Sequence, residues 1–378
     1  MHNRAKAEVD LSAIAANIQK LKSHTGVPLM AVVKADAYGH GLIPVARTAV
    51  DAGAEWLGVA LLEEAIALRT AEISHPILAW LVPPGSNFSR AIELNIDLAV
   101  ASIAAFSEIC SAGKELGTRA KMHIEVDTGM TRGGFLQEWE PFLEALSASQ
   151  EFVEVVGLFS HFARADEPGT PQNARQLKRF MEMSDDLNEI GIEPRIQHLS
   201  NSAASLVDAL SHFDLIRTGI AMYGLSPDVK NLGSSLDLGL KPAMKVSAKL
   251  HLVKEVPAGS EVGYGAIDQT SSDTKLGVVA MGYADGIPRI ARGAGVFFDG
   301  NRAPSIGRVS MDQFVVDLGK ESAAKSGDWV TVFGDGSQGE YSADDWGAAS
   351  QSINYEIVTR IGPRVPKIYI HSTEQEKR

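Results

Sequence analysis

A lysine stands at the end of an apolar run near the start of the chain, and a glycine-rich turn follows it. Residues 29–33 have the composition of a buried strand, Lys34 comes directly after them, and Tyr38 lies four residues further on. Desolvating an ammonium group is unfavourable, so a lysine at the end of a core strand often has a chemical role. Such an amine can lose its proton and become a nucleophile or the Schiff-base partner of a carbonyl cofactor. A side chain that has merely reached solvent fits equally well.

Other polar side chains follow later strand-like segments. Glu125 and Arg132 come at and after one such segment, His161 follows the next, and His198 and Arg217 end the last two. Taken singly, a histidine here is more often structural, and an arginine can lie at the surface. If these segments are parallel strands of one barrel, all five side chains lie at its carboxyl-terminal face, where active sites of such barrels form.

Two turns in the same region could hold a phosphate group. Asn201 and Ser202 open a predicted helix after one strand, and Gly219 and Ile220 form a turn after the next. Loops in this position of a barrel commonly bind phosphate through backbone amides, although Ser202 alone would be an ordinary first-turn serine. A phosphate site beside a strand-end lysine indicates pyridoxal 5′-phosphate, which needs both.

The pattern around these residues predicts an α/β fold. After a first helix capped by Asp10, strands alternate with helical segments such as 43–51, 62–71, 103–116, 172–190 and 201–210, which favours a (β/α)8 barrel over a doubly wound open sheet. The eight predicted strands are 30–33, 56–60, 77–81, 98–101, 121–126, 155–160, 195–199 and 215–218.

The pattern changes near residue 240, which predicts a second, mainly-β C-terminal domain. Its strand-like segments are 246–256, 275–281, 296–298, 313–317 and 329–333. We therefore predict a barrel domain at 8–235 and a β-rich domain at 236–378 that includes residues 1–7.

Composition excludes several classes of function. The 378 residues carry a formal charge of −12, which argues against a nucleic-acid partner, and no apolar run could span a membrane. Cys110 is the only cysteine, so we expect neither a disulfide nor a metal cluster. The first ten residues lack the apolar core of a signal peptide, which predicts a soluble cytoplasmic protein.

Eight segments resemble signatures of the alanine racemases, in the order that this family has them. They are residues 31–41, 127–132, 198–202, 217–224, 262–265, 282–286, 307–312 and 353–356. The resemblance implies a barrel followed by a β domain, which agrees with the pattern above. It also implies a homodimer whose active sites are each shared between one barrel and the partner's β domain.

The resemblance further implies a mechanism with two opposed proton-transfer groups. Lys34 would hold pyridoxal phosphate and then act on one face of the substrate Cα, while Tyr264 from the partner would act on the other. His161 and Arg217 would connect to that tyrosine. Arg217 would also contact the pyridine nitrogen of the cofactor. In barrel-type decarboxylases, the resemblance implies a carboxylate at that position instead.

The remaining roles are implied in the same way. For the substrate, Arg132 and the partner's Met311 would contact the carboxylate, and Tyr283 and Tyr355 would narrow the entrance. Asp312 and Glu125 would support the site. The expected cofactor-binding residues are Lys34, Tyr38, His161, His198, Asn201, Ser202, Arg217, Gly219, Ile220 and Tyr355.

The chain departs from the family at Glu125, where many relatives carry a lysine that becomes an N-carboxylated anion. Glutamate cannot be carboxylated, so we expect its own carboxylate to supply the negative charge near Arg132. Further departures are Thr218, Gly263 and Ser310, and Ile287 borders the entrance motif.

These expectations favour an alanine racemase that supplies D-alanine for peptidoglycan precursors or serves catabolism. Three alternatives stay open: a racemase of broader range that includes serine, a barrel-type pyridoxal-phosphate decarboxylase, and a cofactor carrier without turnover. The carrier reading is disfavoured because such single-domain barrels lack a β domain and with it a counterpart of Tyr264.

Overall fold

The computed structural model describes residues 4–371, so the outer ends of the predicted second domain, residues 1–3 and 372–378, lie outside it. Its strands are β1 (Ala5–Asp10), β2 (Leu29–Val32), β3 (Trp56–Val59), β4 (Ile77–Ala79), β5 (Asp97–Val100), β6 (Ala120–Glu125), β7 (Val153–Phe159), β8 (Ile196–His198), β9 (Ile216–Thr218), β10 (Met244–Val256), β11 (Glu261–Val262), β12 (Asp268–Gln269), β13 (Thr274–Val279), β14 (Gly295–Phe298), β15 (Asn301–Pro304), β16 (Phe314–Asp317), β17 (Trp329–Phe333) and β18 (Lys367–Ile370).

The α-helices connect these strands in the first two thirds of the chain and form one pair near its end. They are α1 (Leu11–Thr25), α2 (Leu42–Asp51), α3 (Leu62–Thr70), α4 (Phe88–Glu93), α5 (Ile103–Leu116), α6 (Trp139–Ser147), α7 (Pro171–Glu189), α8 (Ser202–Val207), α9 (Val229–Leu232), α10 (Ala343–Ala349) and α11 (Asn354–Thr359). Among the described residues, no helix combines the length and apolar character needed to cross a bilayer.

Eight parallel strands form the first sheet, in the order β8-β7-β6-β5-β4-β3-β2-β9. Because β2 pairs with both β3 and β9, the sheet curls into a nearly closed barrel instead of an open doubly wound sheet. Its interior holds a cluster of buried apolar side chains: Met30, Leu78, Ala99, Phe159 and Leu215. The predicted barrel and all eight of its strands are confirmed.

Local sequence accounts for the start of the chain. Asp10 ends β1, and its carboxylate accepts hydrogen bonds from the amides of Ser12 and Ala13, which confirms the predicted helix cap. β1 pairs antiparallel with β10 and parallel with β18, so this N-terminal strand belongs to the second sheet.

The structure divides into two compact units. One comprises Ile14–Ala37 and Leu42–Leu240, and the other comprises residues 4–13, Tyr38–Gly41 and residues 241–371. The second unit contains a sheet in the order β15-β14-β17-β10-β1-β18, to which β13 and β16 are added alongside β10. All five predicted strands of this region are present, whereas helices α10 and α11 were not predicted.

A buried carboxylate joins three segments of the second unit. Asp285 is fully buried, and Arg4 donates two hydrogen bonds to its carboxylate, at 2.6 and 3.1 Å. Arg364 Nε lies 3.2 Å from the same carboxylate, and its Nη2 donates to Asp312 at 2.6 Å. The Gly282 amide also donates to Asp285, which ties down the turn that carries Tyr283.

We predict that Asp285→Ala lowers the free energy of unfolding by about 2 kcal/mol, because Arg4 and the buried Gly282 amide lose their charged hydrogen-bond acceptor. Denaturant unfolding of the purified protein measures the change. Lys320→Ala removes an exposed ion pair in the same unit and should leave stability unchanged. Equal stability of the two variants would contradict the role given to Asp285.

Candidate active site

Lys34 is followed by a backbone turn of the opposite hand to an α-helix. Ala35, Asp36, Ala37 and Tyr38 all have φ between 52° and 55°. Each L-residue costs roughly 1–2 kcal/mol in this conformation, so neighbouring groups must hold the turn. Runs of such residues cluster at functional sites, which makes the position of Lys34 notable.

Two carboxylates hold the turn in the barrel unit. Glu64 accepts a hydrogen bond from the Ala35 amide at 2.6 Å, and its other oxygen accepts from the amides of Ala60 and Leu61, directly before α3. Asp36 accepts from the amide of Leu42 at 2.8 Å, which connects the turn to the first residue of α2. The backbone beside Lys34 is therefore pinned on both sides.

Lys34 is half-buried, and its ammonium nitrogen lies 5.7 Å from the centre of the Trp80 ring. Burial lowers the pKa of Lys34, the positive charge of Arg132 lowers it further, and the carboxylate of Glu64 partly opposes both. A lower pKa increases the fraction of neutral amine, which is the nucleophilic form.

Arg217 is buried inside the barrel and connects the ends of two neighbouring strands. Its Nη1 donates to Nδ1 and the backbone carbonyl of His198, at 3.1 and 2.7 Å. Its Nη2 donates to the carbonyls of Ser160 and Leu199 and to Nδ1 of His161, at 2.7, 3.2 and 3.2 Å. Burial lowers its pKa to about 10, so the group stays charged at neutral pH.

The two histidines beside Arg217 are neutral acceptors. Burial and the nearby cations Arg217, Arg132 and Lys34 lower the pKa of His161 to about 3, and burial places that of His198 well below its ordinary value. An arginine can only donate hydrogen bonds, so both Nδ1 atoms accept and both Nε2 atoms carry the ring proton.

Glu125 ends β6 and supplies a negative charge among these cations. Burial raises the pKa of Glu125, while Arg132 and Arg217 oppose the rise. Gly133 allows the following loop to approach, since a Cβ there would lie 3.1 Å from Oε1 of Glu125. Asp127 shapes the same loop by accepting hydrogen bonds from three successive amides, those of residues 129–131.

The two predicted phosphate-binding turns come together. Oγ of Ser202 accepts a hydrogen bond from the Gly219 amide at 2.9 Å and is 3.4 Å from the amide of Ala221. Asn201 caps α8 by accepting from Ala204. Ile220 is fully buried directly after Gly219. A hydroxyl and several amides thus converge in a buried position.

The second unit presents the other predicted residues. Tyr264, Met311 and Tyr283 are 69%, 53% and 39% exposed. Tyr38 and Tyr355 lie with their ring centres 6.2 Å apart, and burial raises the pKa of Tyr38.

Sequence reasoning missed three polar residues of the barrel unit: Glu64, His123 and Asp97. His123 and Asp97 are fully buried on strands β6 and β5. One signal was available, because His123 precedes Glu125 by two residues and therefore faces the same side of β6. Glu64 carries no comparable sequence signal, since its role depends on a turn distant in sequence.

Comparisons with known proteins identify the family of the chain. The sequence model of the alanine racemase N-terminal domain matches residues 9–227, and that of the C-terminal domain matches residues 243–369. The chain is 48% identical to the alanine racemase of Streptomyces coelicolor over 97% of this chain and 96% of that one.

Solved structures give the same result. The alanine racemase of a D-cycloserine-producing Streptomyces lavendulae superposes with a TM-score of 0.96, at 45% identity and full coverage of both chains. The alanine racemase of Bacillus anthracis with bound L-Ala-P superposes at 0.90, with 37% identity over 98% of this chain and 96% of that one. The chain belongs to the alanine racemase family and is an isomerase that interconverts L- and D-alanine.

Proposed function

We propose that the chain racemises alanine with pyridoxal 5′-phosphate as its cofactor. The observation that carries the proposal is the hydrogen bonding of Arg217. Among the described residues, five acceptor atoms engage its Nη1 and Nη2 groups, and none engages Nε. Nε is therefore a fixed donor that suits the lone pair of a pyridine nitrogen.

The rest of the barrel unit fits the same cofactor. Lys34 has the lowered pKa that an amine needs to bond to an aldehyde. Ser202 and the Gly219 turn offer a hydroxyl and amides for a phosphate group. We add Ile220, Asn201, Tyr38 and Tyr355 to this phosphate-binding set on the basis of family resemblance.

The cofactor, when bound, withdraws electrons from the substrate Cα and so makes its proton removable. Arg217 limits this withdrawal, because a guanidinium group does not pass its proton to the ring nitrogen. Limited withdrawal favours immediate return of the proton over side reactions. The arginine at position 217 also distinguishes this chain from the decarboxylase alternative, in which a carboxylate would occupy that position.

Racemisation requires proton transfer on both faces of the substrate. We propose that the amine of Lys34 serves one face and that Tyr264 of the partner subunit serves the other. The 69% exposure of Tyr264 in a single chain supports this role, because the side chain is available to a second protomer. His161 would orient that phenol through its Nε2–H, since its Nδ1 is held by Arg217.

The substrate is a small amino acid. We propose that Arg132 and Met311 bind its carboxylate and that Tyr283 and Tyr355 limit its side chain, which favours alanine and leaves serine as the second candidate. The protein then acts as a cytoplasmic homodimer that supplies D-alanine for peptidoglycan precursors. Chiral product analysis of the purified enzyme with a panel of L-amino acids measures this range.

We predict that Lys34→Ala abolishes racemisation together with the visible absorbance of the lysine-bound cofactor, because the variant has no amine to bond the aldehyde. Absorption spectroscopy and polarimetry measure the two effects. Lys114→Ala, on the outer face of α5, is the control and should retain both. A variant at position 34 with an unchanged spectrum would refute the cofactor assignment.

We predict that Tyr264→Phe lowers racemisation by roughly 10²- to 10⁴-fold while the cofactor stays bound, because one of two proton-transfer groups is lost. The Lys34 face should still exchange the Cα proton of one enantiomer with ²H₂O, which NMR detects. Tyr341→Phe removes a hydroxyl elsewhere in the same unit and serves as control. Unchanged turnover in both directions would exclude the two-base mechanism.

We predict that activity is independent of added bicarbonate, because Glu125 already carries the charge that a carboxylated lysine supplies in relatives. Glu125→Lys should become bicarbonate-dependent, and Glu125→Gln should lose activity at every bicarbonate concentration. Initial rates over a bicarbonate series measure all three. Activation of the unaltered enzyme by bicarbonate would show that Glu125 does not have this role.

A further inference from the structure

A line of buried polar groups continues from Arg217 to the opposite side of the barrel interior. Nε2 of His198 lies 2.9 Å from Nδ1 of His123, and Nε2 of His123 lies 3.4 Å from the carboxylate of Asp97. The exposed fractions of Asp97, His123, His198 and Arg217 are 3%, 0%, 0% and 7%. Burying two imidazoles and a carboxylate is unfavourable unless their polar atoms have partners. Among the described residues, Nε2 of His123 makes no hydrogen bond, so the Asp97 carboxylate at 3.4 Å acts on it through its charge.

The hydrogen bonds in this line have one direction. Arg217 donates to Nδ1 of His198, so the ring proton of His198 is on Nε2 and is donated to Nδ1 of His123. The proton of His123 is then on Nε2, which faces the Asp97 carboxylate at a distance longer than a usual hydrogen bond. Reversing either imidazole would place two N–H groups against each other.

The position of His123 is fixed by its neighbours. Trp56 packs against its ring edge-on, with ring centres 5.1 Å apart. On the adjacent strand β7, Gly157 is paired with His123, and a Cβ there would lie 2.3 Å from Nδ1 of His123, so any larger residue would displace the ring. Asp97 also interacts electrostatically with Arg69, a cation outside this line.

We propose that His123 and Asp97 are positioning residues for Arg217. Asp97 selects the Nε2–H form of His123, His123 selects the Nε2–H form of His198, and His198 then always offers Nδ1 as an acceptor to the guanidinium group. The fixed guanidinium would keep Nε available as a donor to the ring nitrogen of the cofactor. This inference rests on the proposed function for its catalytic consequence but not for the hydrogen-bond order itself.

The first test replaces Asp97 by asparagine, which has the same shape but can present an N–H to His123. Reversal of His123 would then propagate to His198. Asp186→Asn is the matched control, because Asp186 accepts a hydrogen bond from Trp139 at 2.8 Å in the same unit and lies outside this line. ¹⁵N NMR of histidine-labelled protein, with and without cofactor, reports which ring nitrogens carry protons.

We expect Asp97→Asn to show mixed protonation of the His198 ring nitrogens and a kcat roughly 10- to 100-fold lower, with the KM for alanine unchanged. Asp186→Asn should match the unaltered enzyme in both. Identical histidine spectra and equal kcat for the two variants would overturn the proposal. If the unaltered protein shows no cofactor absorbance, the proposed function is refuted. The ¹⁵N NMR spectra of the cofactor-free proteins still test the hydrogen-bond order in that case.

A second pair of variants tests the proposal independently if Asp97→Asn does not fold. His123→Asn keeps an oxygen that can accept from His198, whereas His123→Leu has no acceptor. We expect the asparagine variant to recover most of the kcat that the leucine variant loses, at equal thermal stability. Equal kcat in the two variants would show that His123 only fills space.

Discussion

The structure depends on placing one permanently charged guanidinium group inside the barrel. Arg217 is 7% exposed, and the five acceptors of its Nη groups are three backbone carbonyls and two imidazole nitrogens. These acceptors lie at or just beyond the ends of β7 and β8, next to each other in the sheet. Neighbouring parallel strands that end at one level can supply such a set, because their free carbonyls face the same space.

This constraint explains why the nearby histidines are neutral. A protonated imidazole beside Arg217 would place two positive charges in contact in a medium of low polarity, and the pKa of His161 falls to about 3 for this reason together with burial. Neutral imidazoles act as acceptors for the guanidinium and retain one N–H each for further contacts. In His198 this N–H continues the line toward His123.

The turn after Lys34 shows a second way in which the chain fixes the position of a polar residue. Four consecutive residues after it adopt left-handed backbone angles. Two hydrogen bonds compensate, because the Glu64 carboxylate accepts from the Ala35 amide and the Asp36 carboxylate accepts from the Leu42 amide. The conformational strain is local, whereas the hydrogen bonds that offset it come from α2 and the start of α3. These hydrogen bonds therefore hold the strained backbone directly after Lys34.

The second unit uses a similar principle for different side chains. Buried Asp285 joins Arg4, Arg364 and the Gly282 turn, so the exposed Tyr283 is carried on a rigid support. Large exposed side chains on a rigid support are typical of surfaces that meet another molecule. This is consistent with the proposal that Tyr264 and Met311 act in the active site of a partner subunit.

The sequence by itself determined the elements of the barrel, the change to a β-rich region, and the family, because hydrophobic period and signature motifs are local properties. It also singled out Lys34, Glu125, His198 and Arg217, since polar residues at the ends of apolar strands are visible in the sequence. Helices α10 and α11 were missed because a pattern of short strands and glycine turns dominates that region.

Only the tertiary structure decided which of these groups touch and in which protonation state. The orientation of Arg217, the neutral forms of His161 and His198, and the line through His123 to Asp97 depend on distances between strands that are far apart in the chain. The left-handed turn after Lys34 likewise depends on Glu64, which is 29 residues from Ala35. Hydrogen-bond direction and burial are set by neighbours in space, and a linear pattern contains no record of them.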